Sequence, residues 1–532
     1  MAQIKFTADL TAAEFPLLTR FAGRTVLQPN PAEGKPPITT PQVLYCQNAL
    51  PTKGGYKSVS YQAVYGAASP ANLNFSKCWT VQDPDLTKAK VGVTTDSRIY
   101  LLSAVTGYWA DVTPALWAGG DKVTCATANG STYLYLANFG CYKVSVAGIT
   151  LTLTTLLGIT AANITGCFNS CNYLCLFDGS HIYWCSTLNP LDFIPSLVTG
   201  AGSTIPTDLD GTIVAVAQLN NGFAIYSTAN IVLSTFSNNT QFPWIFVNAN
   251  NGSGITSDGQ VSTQNNLGFH VALTFAGVLQ VTNQGCTQIV PEVSDFLAAK
   301  IYEAYDYLTH AIVSTPLAAN LKARMAIIGA RYVVLSYGVE GTVGYSDALV
   351  RDLTLNRWGK LTVQHAAVLE FDTGITTGAQ TYVNLPNAYS TYTALAYNQA
   401  TAGLTVQPQA GGNFGILGVD GSISLAVLDQ ASLTDTAVLV LGKYQATRNY
   451  TLSLEGVEVE SIAPNNIGFA VYDSPSIDGK NLLPARTLTL NSSGAASRQY
   501  GCRIAGLNHM LAFIGSFNLS AIELTATLGG RR

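Results

Sequence analysis

Short runs of alternating apolar and polar residues, broken by Gly, Asn, Asp and Pro, fill most of this chain, and a period of two is that of half-buried β-strands. The stretch 167–196, CFNSCNYLCLFDGSHIYWCSTLNPLDFIPS, displays the unit. Residues 172–177 have strand composition, Asp178-Gly179 predicts the positive-φ turn of a tight hairpin, and 181–186 is a second run rich in aromatic and β-branched residues. An outer connection through Asn189-Pro190 follows. Variants recur at 89–114, 122–156, 212–244, 261–291 and 326–358. Five hairpins centre near Ile99, Tyr142, Ile182, Ile231 and Val278, at intervals of about 43, 40, 49 and 47 residues, the spacing of propeller blades and similar β-repeats.

A four-stranded sheet of this size cannot bury both faces alone, so consecutive sheets must stack, and closing the stack into a ring removes its exposed ends. The expectation is an all-β protein with a β-propeller of about six blades over residues 75–370. A seventh set of strands is legible at 414–427, FGILGVDGSISLAV, after an insertion at 372–410, so 371–441 is expected to hold an insertion and closing blade strands. The rival arrangement is a chain of β-sandwiches. Residues 291–308, PEVSDFLAAKIYEAYDYL, break the pattern. Ser294 as an N-cap, with Phe296, Leu297, Ile301, Tyr302 and Tyr305 following periodically, predicts a helix in an insertion near 291–325.

The two ends differ from the middle. Residues 1–74 read as an N-terminal arm and first strands, with a helix candidate at 10–21 interrupted by Pro16. Five prolines between positions 28 and 42 force an extended course: a linker, an arm on a neighbour, or a strand and loop against the chain's own body. Residues 43–61 predict two short strands around a Pro/Gly turn. From 442 to 532 alternating strands lose the blade-length period, which predicts a separate C-terminal β-sandwich.

Composition sharpens this picture. The 532 residues carry a net charge of −4 and are only 11% charged, against roughly 25% in an ordinary soluble protein. Much of the surface is left to Ser, Thr, Asn, Gln and Gly, as suits a β-protein covered by neighbouring subunits. No apolar run reaches the ~18 residues of a membrane span, and MAQIKFTADL lacks the basic start and apolar segment of a signal peptide, so the expectation is a chain made and kept in a cytosol until assembled. Of the ten cysteines, Cys167, Cys171 and Cys175 are spaced by four with Cys185 beyond. On one strand that spacing puts three thiols on one face, and buried free thiols are expected ahead of disulfides or metal.

Signatures of chemistry are missing. There is no Walker loop, dinucleotide fingerprint or serine-hydrolase elbow. Asp208-Leu209-Asp210-Gly211 begins like a calcium loop without its later carboxylates, and the Asp-Gly pairs at 178, 258, 420 and 478 read as hairpin turns. Five histidines are scattered singly, His181 beside a turn among them. No catalytic, cofactor-binding or metal residue is assigned, no cofactor is expected, and the protein is expected not to be an enzyme. With 27 basic against 31 acidic residues and no basic run beyond Arg531-Arg532, gripping nucleic acid is disfavoured, whereas a weakly acidic polar wall suits a DNA that slides past.

Four stretches together resemble one family: Leu50-Pro51 with Gly54-Gly55, 181–203 (HIYWCSTLNPLDFIPSLVTGAGS), 348–361 (ALVRDLTLNRWGKL) and the closing 506–532. They are similar to tail nozzle, or packaged-DNA stabilisation, proteins of short-tailed bacteriophages. The resemblance implies a virion protein forming a six-fold ring below the head–tail adaptor. Such a ring continues the channel for double-stranded DNA, meets tail fibre or spike proteins, and retains the genome until ejection. It brings no catalytic residues with it. On this reading 28–42, 291–325 and 372–410 are the expected contact makers, and loops at 373–388 or 248–259 the expected constriction. The alternatives are a trimeric carbohydrate-binding or depolymerising tail protein, and a monomeric interaction scaffold.

Overall fold

The computed structural model describes residues 3–7, 10, 25–27, 43–65, 73–371 with short interruptions, 413–427, 437–446, 450–461, 467–474, 483–490, 497–506 and 508–531. Strands dominate, with 3-10 turns at Ala161–Asn163 and Asp258–Gln260.

Among the described residues seven sheets follow one another. The first is Phe75–Gln82, Lys88–Thr94, Ile99–Leu102 and Trp109–Asp111; the second Val123–Ala128, Ser131–Leu136, Gly140–Ser145 and Thr150–Thr154. The third is Gly166–Ser170, Tyr173–Phe177, Ile182–Trp184 and Gly202–Thr204; the fourth Ile213–Leu219, Gly222–Ser227, Asn230–Phe236 and Trp244–Asn251. The fifth holds Phe269–Thr274, Gly277–Thr282 and Gly285–Gln288, with Val261 bridged to Ala272 on the free side of the first of these. The sixth is Leu321–Ile328, Tyr332–Val339, Asp347–Asp352 and Arg357–Leu361. The seventh joins Ala367–Phe371, Asn413–Leu417 and Ile423–Val427 to an outermost strand, Ser60–Tyr65, drawn from the N-terminal part of the chain.

The first strands of these sheets touch in sequence order, and Ala367–Phe371 of the seventh returns to Phe75–Gln82 of the first. Apolar clusters fill the seams. Val91, Leu101, Leu134 and Val144 join sheets one and two; Leu273, Val278, Met325 and Leu349 join five and six; Phe75, Trp109, Leu369 and Ile423 join seven to one. The result is a closed, propeller-like stack. Its inner strands, Ser131–Leu136 and Gly222–Ser227 for instance, are buried along their whole length because a neighbour covers each face. That is why they read as continuous apolar runs.

Apart from the pair Ile301–Asp306 and Ala311–Pro316, the remaining strands form two layers. Ala49–Pro51, Tyr56–Ser58, Asn518–Arg531, Tyr450–Ser461 and Ser497–Gly506 make one, with Gln3–Thr7 along Asn518–Arg531; Thr25–Leu27, Val438–Ala446, Asn508–Ile514, Ile467–Ser474 and Leu483–Leu490 make the other, with Val43–Gln47 along Val438–Ala446. Tyr56, Leu439, Leu454, Phe513 and Leu524 lie in their common core. Position 442 falls inside a strand, and both layers take strands from each end of the chain. The first layer is continuous with the sixth sheet, since Lys360 pairs with Ala49. Tyr56 donates its hydroxyl to the Trp358 carbonyl at 2.9 Å, and the buried Arg357 guanidinium donates to the carbonyls of Leu10 and Thr52 at 3.0 and 2.8 Å.

Three local expectations are corrected. Ile301–Asp306, in the second half of the segment 291–308, is a strand paired with Ala311–Pro316, and 321–328 begins the sixth sheet. Aromatic and β-branched residues there suit a strand once a partner offers its hydrogen bonds. Cys167, Cys171 and Cys175 do not share a strand: Cys171 and Asn172, at φ 48° and 70°, form the turn between the strands carrying the other two. Gly179 does not adopt positive φ; the Asp178 carboxylate instead accepts the Ser180 and His181 N–H groups, both at 2.7 Å. The stretches 28–42, 373–388 and 11–21 lie outside the described residues.

Candidate functional site

Side chains meet at the inner edge of the stack. Lys77 lies on the first strand of the first sheet, and Asp258 stands just ahead of Val261, at the inner side of the fifth. They form an ion pair, and the Lys77 ammonium also donates to the Val123 carbonyl at 3.5 Å. Arg324, on the first strand of the sixth sheet, donates to the Ser76 carbonyl at 2.6 Å. Sheets one and five are not neighbours in the ring, nor are one and six, so both contacts span its interior.

Local chemistry positions the acid. Ser257 caps the 3-10 turn Asp258–Gln260, accepting the Gly259 N–H at 3.3 Å, while the Gln260 side chain accepts the N–H of Thr256 and Ser257. The stretch 248–259, which the sequence offered as a constriction, thus contains the end of an outer strand, Trp244–Asn251, and a capped turn at the inner edge.

Further groups are occupied by backbone or hydroxyl partners. Lys90 is buried and donates to Thr80 and, at 2.8 Å, to the Glu370 carbonyl of the seventh sheet. Trp109 donates its indole N–H to the Gly421 carbonyl at 2.8 Å across the same seam. His365 faces the Val363 carbonyl through Nδ1 at 2.7 Å, so that nitrogen carries the proton and Nε2 accepts from Ser336 Oγ at 2.8 Å. Burial lowers its pKa to about 4. His270, pushed to about 4 by burial, is likewise held between the Gln218 carbonyl and the Tyr226 hydroxyl. Burial lifts the Cys78 thiol to about 11 against the pull of Lys90 and Arg324. Groups held this way brace neighbouring sheets.

The remaining sequence candidates lie apart. Asp178 and His181 sit on an outer turn of the third sheet with Tyr183, whose hydroxyl donates to Asp178 at 2.9 Å. Burial raises the Asp178 pKa, but the N–H groups of His181 and Ser180 and the Tyr183 hydroxyl more than offset it, and the carboxyl lies below its usual range. Asp420 caps its own turn by accepting the Ser422 N–H at 2.9 Å. Asp208 reaches the Asn248 N–H at 3.2 Å, and Asp210 N–H is held by Asn230 at 3.1 Å. The nine described cysteines are free thiols, and among the described residues no three of His, Cys, Asp and Glu gather as metal ligands do. No helix among the described residues is long and apolar enough to cross a membrane.

Sequence reasoning missed Lys77, Arg324 and Lys90, because each acts through a partner far along the chain. One signal is legible in the sequence: between Lys143 and Lys300 there is no Lys or Arg, so sheets three, four and five carry neither.

No family model matches the chain, and no curated protein does. Solved structures similar to it include the WD40 β-propeller domain of Doa1, with a TM-score of 0.38, 9% identity, and 70% of this chain and 99% of that one covered. YCF48 bound to D1 peptide gives a TM-score of 0.38 and 10% identity, covering 72% and 97% of the two chains. The computationally designed Ika8 protein gives 0.34 and 8%, covering 69% and 99%.

Proposed function

We propose that this chain is a structural component of a short-tailed phage tail, six copies of which form a nozzle ring below the head–tail adaptor. On this reading the seven stacked sheets are the blades of a propeller, closed by Ser60–Tyr65, and the two layers built from both chain ends are a β-sandwich. The observation that carries the reading is the continuous sheet through Lys360 and Ala49, which joins the two units into one stiff body braced by Arg357 and Tyr56. A ring under pressure from packaged DNA needs such a body.

The inner edge bears on where DNA would pass. A duplex whose major groove alone is about 12 Å wide cannot traverse an opening bridged by side chains in contact. The channel therefore forms between copies, lined by polar, weakly acidic surface that does not trap a polyanion.

Mass measurement and negative-stain imaging of the purified assembly test this. Six copies around an open lumen support it. A trimer with sugar-cleaving activity favours the depolymerase alternative, and a monomer at all concentrations favours an interaction scaffold.

A further inference from the structure

We propose that the outer edges of the second, third and fourth sheets form a face that a second copy of this chain covers. The inference rests on the ring reading above and names which side of the subunit makes the contact.

Three consecutive edge strands, Thr150–Thr154, Gly202–Thr204 and Trp244–Asn251, carry no charged residue and no proline. Exposed edges are ordinarily guarded by such residues, because unpaired N–H and C=O groups otherwise recruit other chains. The first sheet has that protection, with Asp111 on its edge strand paired to Arg98, and the sixth sheet's edge is paired to Ala49–Pro51. Edges two to five and seven lack it, and beside two to four exposed apolar side chains gather as well.

Large apolar side chains crowd the same face: Leu157, Leu188, Ile194, Val198, Ile245 and Val247 are exposed, Val198 at 91%. Backbone bonds join the loops that carry the first four. Leu157 N–H bonds to the Leu191 carbonyl and Phe193 N–H to that of Leu157, both at 2.9 Å; Thr187 N–H bonds to the Thr199 carbonyl at 3.0 Å. Asp208, ahead of the fourth sheet, holds the Asn248 N–H beside Val247. Patches beyond a few hundred Å² on soluble proteins mark interaction sites.

Charge selects the occupant. Between Lys143 and Lys300 there is no Lys or Arg, while Asp178, Asp192 and Asp208 are among its acids, so this part of the chain is net negative and the remainder net positive. A nucleic acid or an anionic membrane is repelled. Another copy is not: its oppositely charged part carries exposed lysines such as Lys53, Lys88 and Lys122. A contact between two different patches of one chain is heterologous, the kind that generates rings.

The test compares the full chain with a V198K/V247K double variant by mass photometry and sedimentation over a wide concentration range, with Phe275→Lys, exposed on the fifth sheet, as control. Circular dichroism and melting verify that each folds. We expect the wild type and F275K to assemble and the double variant to need at least about tenfold higher concentration, since it places positive charge in a desolvated apolar contact. Unchanged assembly of the double variant overturns this face and leaves the ring reading standing. A wild-type chain that stays monomeric throughout overturns both and assigns the face to a different macromolecule.

Discussion

Lys77 and Asp258 stand 181 positions apart in the chain and meet across the inside of the sheet stack. Each belongs to a sheet that does not adjoin the other, so the pair exists only when the ring is closed. It is partly shielded, with the lysine side chain 15% and the aspartate 32% exposed.

This pair makes the first prediction. Asp258→Asn should destabilise the fold by about 1 kcal/mol, between the values typical of exposed and of broken buried pairs. Urea unfolding should show a lower midpoint at unchanged slope, and a double-mutant cycle with Lys77→Met should return a favourable coupling. Zero coupling refutes a cross-ring brace.

Ring closure depends on the seam between the seventh and first sheets. Ile423 is fully buried there with Phe75 and Trp109. Ile423→Ala should cost about 3 kcal/mol, the range of a buried aliphatic truncated to Ala. Trp109→Phe, which removes the indole donor to Gly421, should cost about 1–3 kcal/mol by leaving that carbonyl unpaired. Both are read by denaturant titration.

Acid should weaken the protein through two histidines. His270 and His365 have pKa values lowered to about 4 by burial, against 6.5 unperturbed. As pH falls below about 6.5 the unfolded chain takes up these protons first, so stability declines until about pH 4, where the folded state protonates as well. The steepest part should correspond to about two protons, or about 1.4 kcal/mol per pH unit for each histidine. Replacing His365 by Gln should roughly halve the slope in pH-dependent unfolding.

The thiols should be inert in the folded state. Burial pushes Cys46 and Cys125 up to about 12 and lifts Cys167 and Cys175 well above the usual range. Because the thiolate is the nucleophile, alkylation at pH 8 should reach these positions only through unfolding. Cys171, partly exposed on its turn, should be labelled first among the described cysteines. Mass spectrometry of a timed iodoacetamide reaction orders them.

Local pattern wrote the strands and the turns between them. The runs around Tyr142, Ile182 and Ile231 are strands of successive sheets, and the repeat of forty-odd residues is the length of one sheet with its outer connection. Burial between two neighbours leaves a mark at every position of a strand, which is why the stacking is legible in the sequence. The apolar spacing of Ile301–Asp306 fits a helix as well as a strand, and only the partner at Ala311–Pro316 decides between them.

Pairing across distance was written nowhere in that pattern. Ser60–Tyr65 completes the seventh sheet, both chain ends share two layers, and Asp258 finds Lys77 only because stacked sheets curve until the last meets the first. Sequence determined the modules and the stretch without Lys or Arg between Lys143 and Lys300, since both are properties of neighbouring residues. Closure, and every contact that crosses it, belongs to the tertiary structure, because the angle between packed sheets is set by how their side chains interlock and not by any one strand.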